Sequence, residues 1–141
     1  MKQTPKGWPR LTSAVFYQDA GAAIDWLCRV FGFQIRLKID GENGAIVHSE
    51  LEYGEALIFV SGESTEKRQA SPRGNGGINT QSLMLFVDDV DAHCAHAKAA
   101  GAKILMEPDT KDYGEDYWAD RTYQAEDLDG HLWWFAQRMR G

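Results

Sequence analysis

Cysteine is scarce in this sequence: Cys28 and Cys94 are the only two among 141 residues. Neither belongs to a Cys-x-x-Cys pair, the spacing that is typical of zinc and redox sites. Each lies in a segment with a helical pattern, and a free cysteine packs as a small hydrophobic residue. We therefore predict two buried structural thiols without a zinc or redox role.

Long apolar runs and excess positive charge are also lacking. No stretch approaches the roughly 20 apolar residues of a membrane helix, and residues 1–9 lack the hydrophobic centre of a signal peptide, which together predict a cytoplasmic protein. Lys and Arg number 15 against 21 Asp and Glu, so the net charge is −6. Such a chain repels nucleic acid and anionic membranes. The expected partner is a neutral or cationic small molecule.

The chain does contain a regular order of predicted elements. With 43% hydrophobic residues, one domain of this size buries about two-thirds of its unfolded surface. Apolar alternation and helical spacing predict a strand, a helix and three further strands in the first half. These elements fall at residues 11–17, 22–31, 33–40, 45–53 and 56–60, with a cap at Gly32 and a turn at 41–44.

The second half repeats that order after a polar, glycine-rich connection over residues 61–81. Strands are predicted at 82–87, 103–106, 117–125 and 131–137, with a helix over 89–100 capped by Gly101. Residues 16–20 (Phe-Tyr-Gln-Asp-Ala) also match residues 86–90 (Phe-Val-Asp-Asp-Val) in having an aromatic residue before a helix-starting Asp. The sequence thus predicts an α+β fold of two βαβββ modules, about 10–61 and 82–138. The two curved sheets would border a shared cleft, with the helices on the outer faces.

Two longer motifs carry a family resemblance. Residues 87–92 (Val-Asp-Asp-Val-Asp-Ala) lead to Ala-Ala-Gly-Ala at 99–102, and Tyr-Trp-Ala-Asp-Arg at 117–121 leads to Asp-Leu-Asp-Gly-His-Leu-Trp-Trp-Phe at 127–135. In these features the chain resembles the glyoxalase/bleomycin-resistance proteins of the vicinal-oxygen-chelate superfamily. Ala119 and Leu128 replace the glycine and the proline of the family pattern. The resemblance implies paired modules around a cleft and a homodimer.

The resemblance also implies four metal-binding positions, two in each module. They fall on Thr12, Phe59, Ser82 and Trp134. Phe and Trp offer no lone pair, and hydroxyl groups bind divalent ions weakly beside imidazole or carboxylate. We therefore expect no metal cofactor. Since neighbouring strand residues point to opposite faces, Trp133 is expected in the core and Trp134 in the cleft.

The polar residues of two strands give the strongest candidates for ligand contact. His48 and Glu50 share one face of their strand, and strict alternation places Arg36 and Lys38 together on the polar face of the preceding strand. Either these side chains face the cleft and orient a polar ligand group, or they form a solvated edge with weak ion pairs.

Other conspicuous residues have two interpretations each. His131 is more consistent with a structural role in its turn than with catalysis. His93 and His96 are more consistent with a solvated helix face than with a pair of metal ligands. Asp120 and Arg121 form either a structural pair or a substrate clamp. Tyr113, Tyr117 and Trp118, interspersed with acidic residues, either stack on a flat cation or fold back on the core.

The predicted function is metal-free capture of a small molecule in an aromatic cleft, and the sequence assigns no catalytic residue. The alternatives are a lyase, isomerase or dioxygenase with a displaced metal site that includes His48 and Glu50, and a scaffold without a ligand. The candidate ligand-binding residues are Phe16, Arg36, His48, Glu50, Phe59, Met84, Trp118 and Trp134.

Overall fold

The computed structural model describes residues 1–141, which divide into two compact units, Met1–Gly76 and Gly77–Gly141. The first unit contains strands β1 (Ser13–Tyr17), β2 (Gln34–Asp40), β3 (Ile46–Tyr53) and β4 (Ala56–Gly62), and helix α1 (Ala20–Trp26), which continues as one π-helical turn over Leu27–Phe31. The second contains β5 (Ser82–Phe86), α2 (Val90–Ala99), β6 (Lys103–Asp112), β7 (Ala119–Glu126) and β8 (Leu132–Arg140). None of the helices has the length and apolar character that crossing a membrane requires.

Both helices begin and end at the predicted signals. The Asp19 carboxylate accepts a hydrogen bond from the backbone N–H of Ala22, and Asp89 does the same for Ala92. Each carboxylate thereby satisfies a donor that a helix start leaves unpaired. Gly32 follows the π-helical turn at φ +89°, a left-handed conformation that glycine adopts without a Cβ clash.

The two sheets have the same topology. The strand order is β1-β4-β3-β2 in the first unit and β5-β8-β7-β6 in the second, with the first strand parallel to the fourth and the other pairs antiparallel. Helix α1 packs on one face of the first sheet and α2 on one face of the second. The predicted α+β class and the repeated βαβββ order are confirmed. A cleft common to both units stays a prediction.

The repeat extends to the register of the strands. In the first sheet, Phe59 lies between Ala14 and Glu50 on its two neighbouring strands. In the second, Trp134 lies between Met84 and Gln124. Phe59 and Trp134 therefore occupy equivalent positions, as do Glu50 and Gln124.

Strand β6 is longer than predicted. It runs six residues past the expected end at Met106, through a polar stretch that includes Pro108. The pairing with β7 shifts register between Met106 and Asp109, so the proline lies at an irregularity. Because β6 is an edge strand, a residue without a backbone N–H is tolerated there.

The loop that follows β4, within the first unit, is organised by one carboxylate. Glu63 Oε1 accepts hydrogen bonds from the backbone N–H of Ser71 (2.9 Å) and from its hydroxyl (3.0 Å), while Ser71 Oγ accepts from the N–H of Gly74 (3.1 Å). Ser71 is fully buried. A Cβ added at Gly74 would lie 1.9 Å from Glu63 Oε1. The loop therefore requires glycine at this position if Glu63 is to keep its hydrogen bonds to Ser71.

We expect Gly74→Ala to lower the free energy of unfolding by about 1–2 kcal/mol, because Glu63 must move and leave buried Ser71 donors without their acceptor. Gly62→Ala is the matched control: its Cβ would meet nothing within 4 Å and its φ is not left-handed. The control is expected to change stability by less than about 0.5 kcal/mol. Urea unfolding of both variants measures the difference, and equal midpoints would refute the requirement.

Candidate functional site

One face of the first sheet carries no helix. Val15, Tyr17 and Leu51 are buried within the core on the α1 side. Alternation then places Phe16 and Phe59 on the opposite face, where both are half-buried. Below, this surface is called the helix-free face.

A buried carboxylate lies at the centre of the helix-free face. Glu50 is only 5% exposed, although charged residues are rarely buried without partners. Its Oε1 lies 3.2 Å from Arg36 Nε, and its Oε2 lies 2.7 Å from His48 Nε2. Three of the four side chains that were predicted to lie together, Arg36, His48 and Glu50, are therefore in contact, and each carboxylate oxygen has a partner.

Aromatic rings surround this polar group. The His48 ring packs edge-on against Phe59, with centroids 4.9 Å apart. Trp8 packs edge-on against the same Phe59 at 6.2 Å, and the Arg36 guanidinium stacks over Trp8 at 4.5 Å. We define the aromatic–carboxylate cluster as Trp8, Arg36, His48, Glu50 and Phe59.

Trp8 is the member of this cluster that the sequence interpretation missed. It precedes the first strand and follows a turn in which its N–H donates to Pro5 O (3.0 Å). Arg36 Nη1 donates to Gly7 O at 2.7 Å and fixes the segment on the sheet. The available signal was a single tryptophan between Gly7 and Pro9, outside any periodic pattern.

The expected position of Lys38 beside Arg36 is wrong. A β-bulge between Ile35 and Leu37 places Leu37 opposite Glu50 and Lys38 opposite Ser49. Since directly opposed residues share a face, Lys38 lies on the other face, where it is 3.7 Å from Asp40. The bulge is also what lets Arg36 reach Glu50.

The Nδ1 nitrogen of His48 is available to a further hydrogen-bond partner. If Nε2 donates to Glu50, the neutral ring has an acceptor at Nδ1, and no protein atom bonds to it. The side chain is 37% exposed. The cluster thus presents an oriented imidazole among aromatic rings.

The helix-free face of the second sheet is more apolar. Met84 is 58% exposed, Phe86 is 49% exposed, and Trp134 is half-buried. Arg138 lies over the rings of Phe86 (5.6 Å) and Trp118 (5.3 Å) and forms an ion pair with Asp120. The guanidinium group of Arg138 thus covers one face of the Trp118 ring.

The hairpin between β6 and β7 carries an aromatic cluster at its end. Trp118 contacts Tyr113 at 5.8 Å and Tyr117 at 6.1 Å, and all three are exposed. The alternative that these rings fold back on the core is therefore wrong. The stacking of a flat cation on them stays a prediction, and Arg138 competes for that role.

Asp120 and Arg121 do not pair with each other. Arg121 makes a two-pronged contact with Asp91 on α2, from Nε and Nη2, and Asp120 contacts Arg138. This contact with Asp91 raises the pKa of Arg121. Both residues thus have structural ion-pair partners.

The Asp-Gly turn before the paired tryptophans is organised by Asp127. Its Oδ1 accepts from the backbone N–H groups of Asp129 and His131, and its Oδ2 accepts from the Trp133 indole, each at 3.0 Å. Trp133 is 1% exposed, so its predicted place in the core is confirmed. Trp134 points to the other face by alternation.

The interpretation of His93 as part of a solvated helix face is wrong. Its Nδ1 lies 2.6 Å from the Tyr123 hydroxyl, and its ring packs 4.5 Å from Phe135.

Cys94 is buried and Cys28 half-buried, and both are free thiols. Burial, together with nearby Asp25 or Glu107, raises the pKa of each thiol and favours the unreactive protonated form.

Two of the four positions that the resemblance assigns to a metal, Phe59 and Trp134, do not fit one. Phe59 packs its ring against Trp8 and His48, and neither Phe59 nor Trp134 has an oxygen, sulfur or imidazole nitrogen to donate. At the alternative location, a cation would compete for the Glu50 carboxylate with the Arg36 guanidinium and the His48 ring. No group of three or more His, Cys, Asp or Glu residues is arranged to hold an ion.

Solved structures show the same fold. TioX from Micromonospora sp. ML1 superimposes with a TM-score of 0.70 at 32% identity, covering 92% of this chain and 95% of TioX. TnmS3, an antibiotic-binding protein from Streptomyces sp. CB03234, gives a TM-score of 0.66 at 19% identity, covering 90% and 93% of the two chains.

Sequence comparison agrees with the structural likeness. An uncharacterised Mycobacterium bovis protein, Mb0911c, is 25% identical over 135 residues, which are 94% of this chain and 85% of that protein. The sequence profile of the Glyoxalase/Bleomycin resistance protein/Dioxygenase superfamily matches residues 11–135. The chain belongs to this superfamily.

Proposed function

We propose that this protein captures a planar aromatic molecule on the helix-free face of its first sheet, without a metal ion and without chemical change to the ligand. The observation that carries the proposal is Glu50, a buried carboxylate held from both sides on a face that no helix covers. Small-molecule sites typically combine aromatic walls with a few fixed polar groups. The aromatic–carboxylate cluster has that composition.

The aromatic rings and the imidazole would make different kinds of contact with the ligand. Phe59 and Trp8 supply apolar area for a flat ligand, with Phe16 on the same face. When Nε2 donates to Glu50 from a neutral ring, His48 Nδ1 offers one directional acceptor for a ligand hydroxyl or N–H. On the second sheet, Met84 and Trp134 form a corresponding apolar surface at the equivalent register positions.

One structural relative supports binding. TnmS3 is an antibiotic-binding protein of the same fold, while the superfamily name covers bleomycin resistance proteins as well as glyoxalases and dioxygenases. The net charge of −6 favours a cationic ligand over an anionic one. A homodimer, as the resemblance implies, remains part of the proposal.

Two flat dyes of opposite charge test this function. We expect proflavine, a planar cation, to bind more tightly than anthraquinone-2-sulfonate, a planar anion, as measured by isothermal titration after dialysis against EDTA. Phe59→Ala and His48→Ala are each expected to weaken proflavine binding about tenfold, because a ring contact or a polar contact is lost.

The matched control is Ile78→Ala, which shortens an exposed apolar side chain outside the cluster. It should leave proflavine affinity unchanged. Binding that disappears with EDTA and returns with added Mn²⁺ would instead support the metal-dependent lyase, isomerase or dioxygenase alternative. If neither Phe59→Ala nor His48→Ala changes the affinity for proflavine, the ligand does not bind at the aromatic–carboxylate cluster.

A further inference from the structure

An open groove of about 750 Å³ lies beside the aromatic–carboxylate cluster, entirely within the first unit. One wall is the N-terminal segment, residues 3–10, and the other is the end of the β3–β4 hairpin, Glu52 and residues 54–57. The volume is within the range of sites for drug-sized molecules. Of its lining residues, the proposed function uses only Trp8 and Arg36.

The wall formed by the N-terminal segment is fixed in place. Arg36 holds it twice, through the hydrogen bond to Gly7 O and by stacking over Trp8. Trp8 also contacts Phe59 and lines the groove, so it borders both the groove and the cluster. The groove is therefore a built feature of the unit, with an aromatic side chain in its lining.

The two walls carry opposite charges. Lys6 and Arg10 lie on the N-terminal segment, and Glu52 and Glu55 lie on the hairpin. No ion pair joins the two walls: Arg10 donates to Lys2 O, and the carboxylate that Arg36 contacts is Glu50. The four charges are thus available to a molecule that lies between the walls.

We propose that this groove binds a zwitterionic, peptide-like molecule with an aromatic side chain. Its carboxylate would face Lys6 and Arg10, its ammonium group would face Glu52 and Glu55, and its apolar body would pack against Trp8. A purely anionic or cationic ligand satisfies one wall and leaves the other unpaired. Charge complementarity of this kind sets specificity more strongly than total affinity.

Three forms of one dipeptide isolate the contribution of each charge. The probes are phenylalanyl-phenylalanine with free ends, its N-acetyl form, which keeps only the carboxylate, and its C-terminal amide, which keeps only the ammonium group. Two-dimensional ¹H–¹⁵N NMR follows the backbone amides of Gly7 and Gly54, one from each wall. We expect the free dipeptide to bind about fivefold more tightly than either blocked form, as two exposed ion pairs allow.

Charge-reversal variants give a readout that a structural role of these residues would not produce. Lys6→Glu should make the C-terminal amide the preferred probe, and Glu55→Lys should make the N-acetyl form preferred. Lys111→Glu and Glu115→Lys, on exposed residues of the second unit, are the matched controls and should leave the order of the three probes unchanged.

The proposal is overturned if the three probes shift Gly7 and Gly54 equally, or if none shifts them up to its solubility limit. It is also overturned if the charge reversals leave the order of affinities unaltered. The dye titrations remain independent of these results, because His48→Ala removes a contact of the cluster and none of the groove lining.

Discussion

Asp127→Ala is expected to lower the free energy of unfolding by about 3–5 kcal/mol, a large part of the stability of a small domain. The variant leaves two backbone N–H groups and the Trp133 indole N–H without their acceptor. Since Trp133 is 1% exposed, water has little access to its indole donor. The turn that directs β8 into the sheet would lose its organising group.

Neighbouring substitutions separate this effect from the loss of a negative charge. Glu126→Ala is the matched control, because this carboxylate makes only a surface ion pair with Lys103, at 3.3 Å, and should cost less than about 1 kcal/mol. Asp127→Asn keeps one acceptor oxygen and should fall between the two. Urea unfolding followed by far-ultraviolet circular dichroism gives the three values. A loss below about 1 kcal/mol in Asp127→Ala would show that the turn forms without this carboxylate.

Arg36→Ala is expected to cost about 2–4 kcal/mol, because it leaves the Glu50 carboxylate buried with only His48 beside it. The same change removes both contacts that hold the N-terminal segment. Urea unfolding measures the stability, and hydrogen exchange at Trp8, whose N–H donates to Pro5 O, measures release of the segment.

A double-mutant cycle tests whether the buried charge is the cause. Glu50→Gln in the Arg36→Ala background removes that charge, so the double variant should be more stable than Arg36→Ala alone. Lys38→Ala, two positions along β2, breaks only an exposed contact with Asp40 and should change stability by less than about 0.5 kcal/mol. If Arg36→Ala and Lys38→Ala have equal unfolding midpoints, the buried pair contributes nothing.

Local signals predicted the elements of this fold because each signal is contained in a short segment. The helix starts at Asp19 and Asp89 and the left-handed glycine at Gly32 need no knowledge of the rest of the chain. The similarity of the two halves followed from the same signals in the same order. These features were sufficient for the fold class, whereas the family was indicated by the resemblance of the longer motifs within residues 87–102 and 117–135.

The errors in the site arose from long-range pairing. The β-bulge at Arg36 depends on how β2 aligns with β3, so strict alternation within β2 put Lys38 on the wrong face. Trp8 joined the site through Arg36 and Phe59, which are distant in sequence. The sequence interpretation assigned the structural role in that turn to His131, whereas the Asp127 carboxylate accepts the hydrogen bonds of the turn.

In each unit the first strand is parallel to the last, with Ser13 beside Ile58 and Ser82 beside Leu132. During synthesis β1 therefore emerges long before its only partner strand, and the first sheet cannot close until β4 has left the ribosome. Such closure has a high contact order, which slows folding relative to a helical protein of equal length. For that interval the nascent chain exposes the apolar side chains and the unpaired backbone edge of β1, the kinds of surface that chaperones engage.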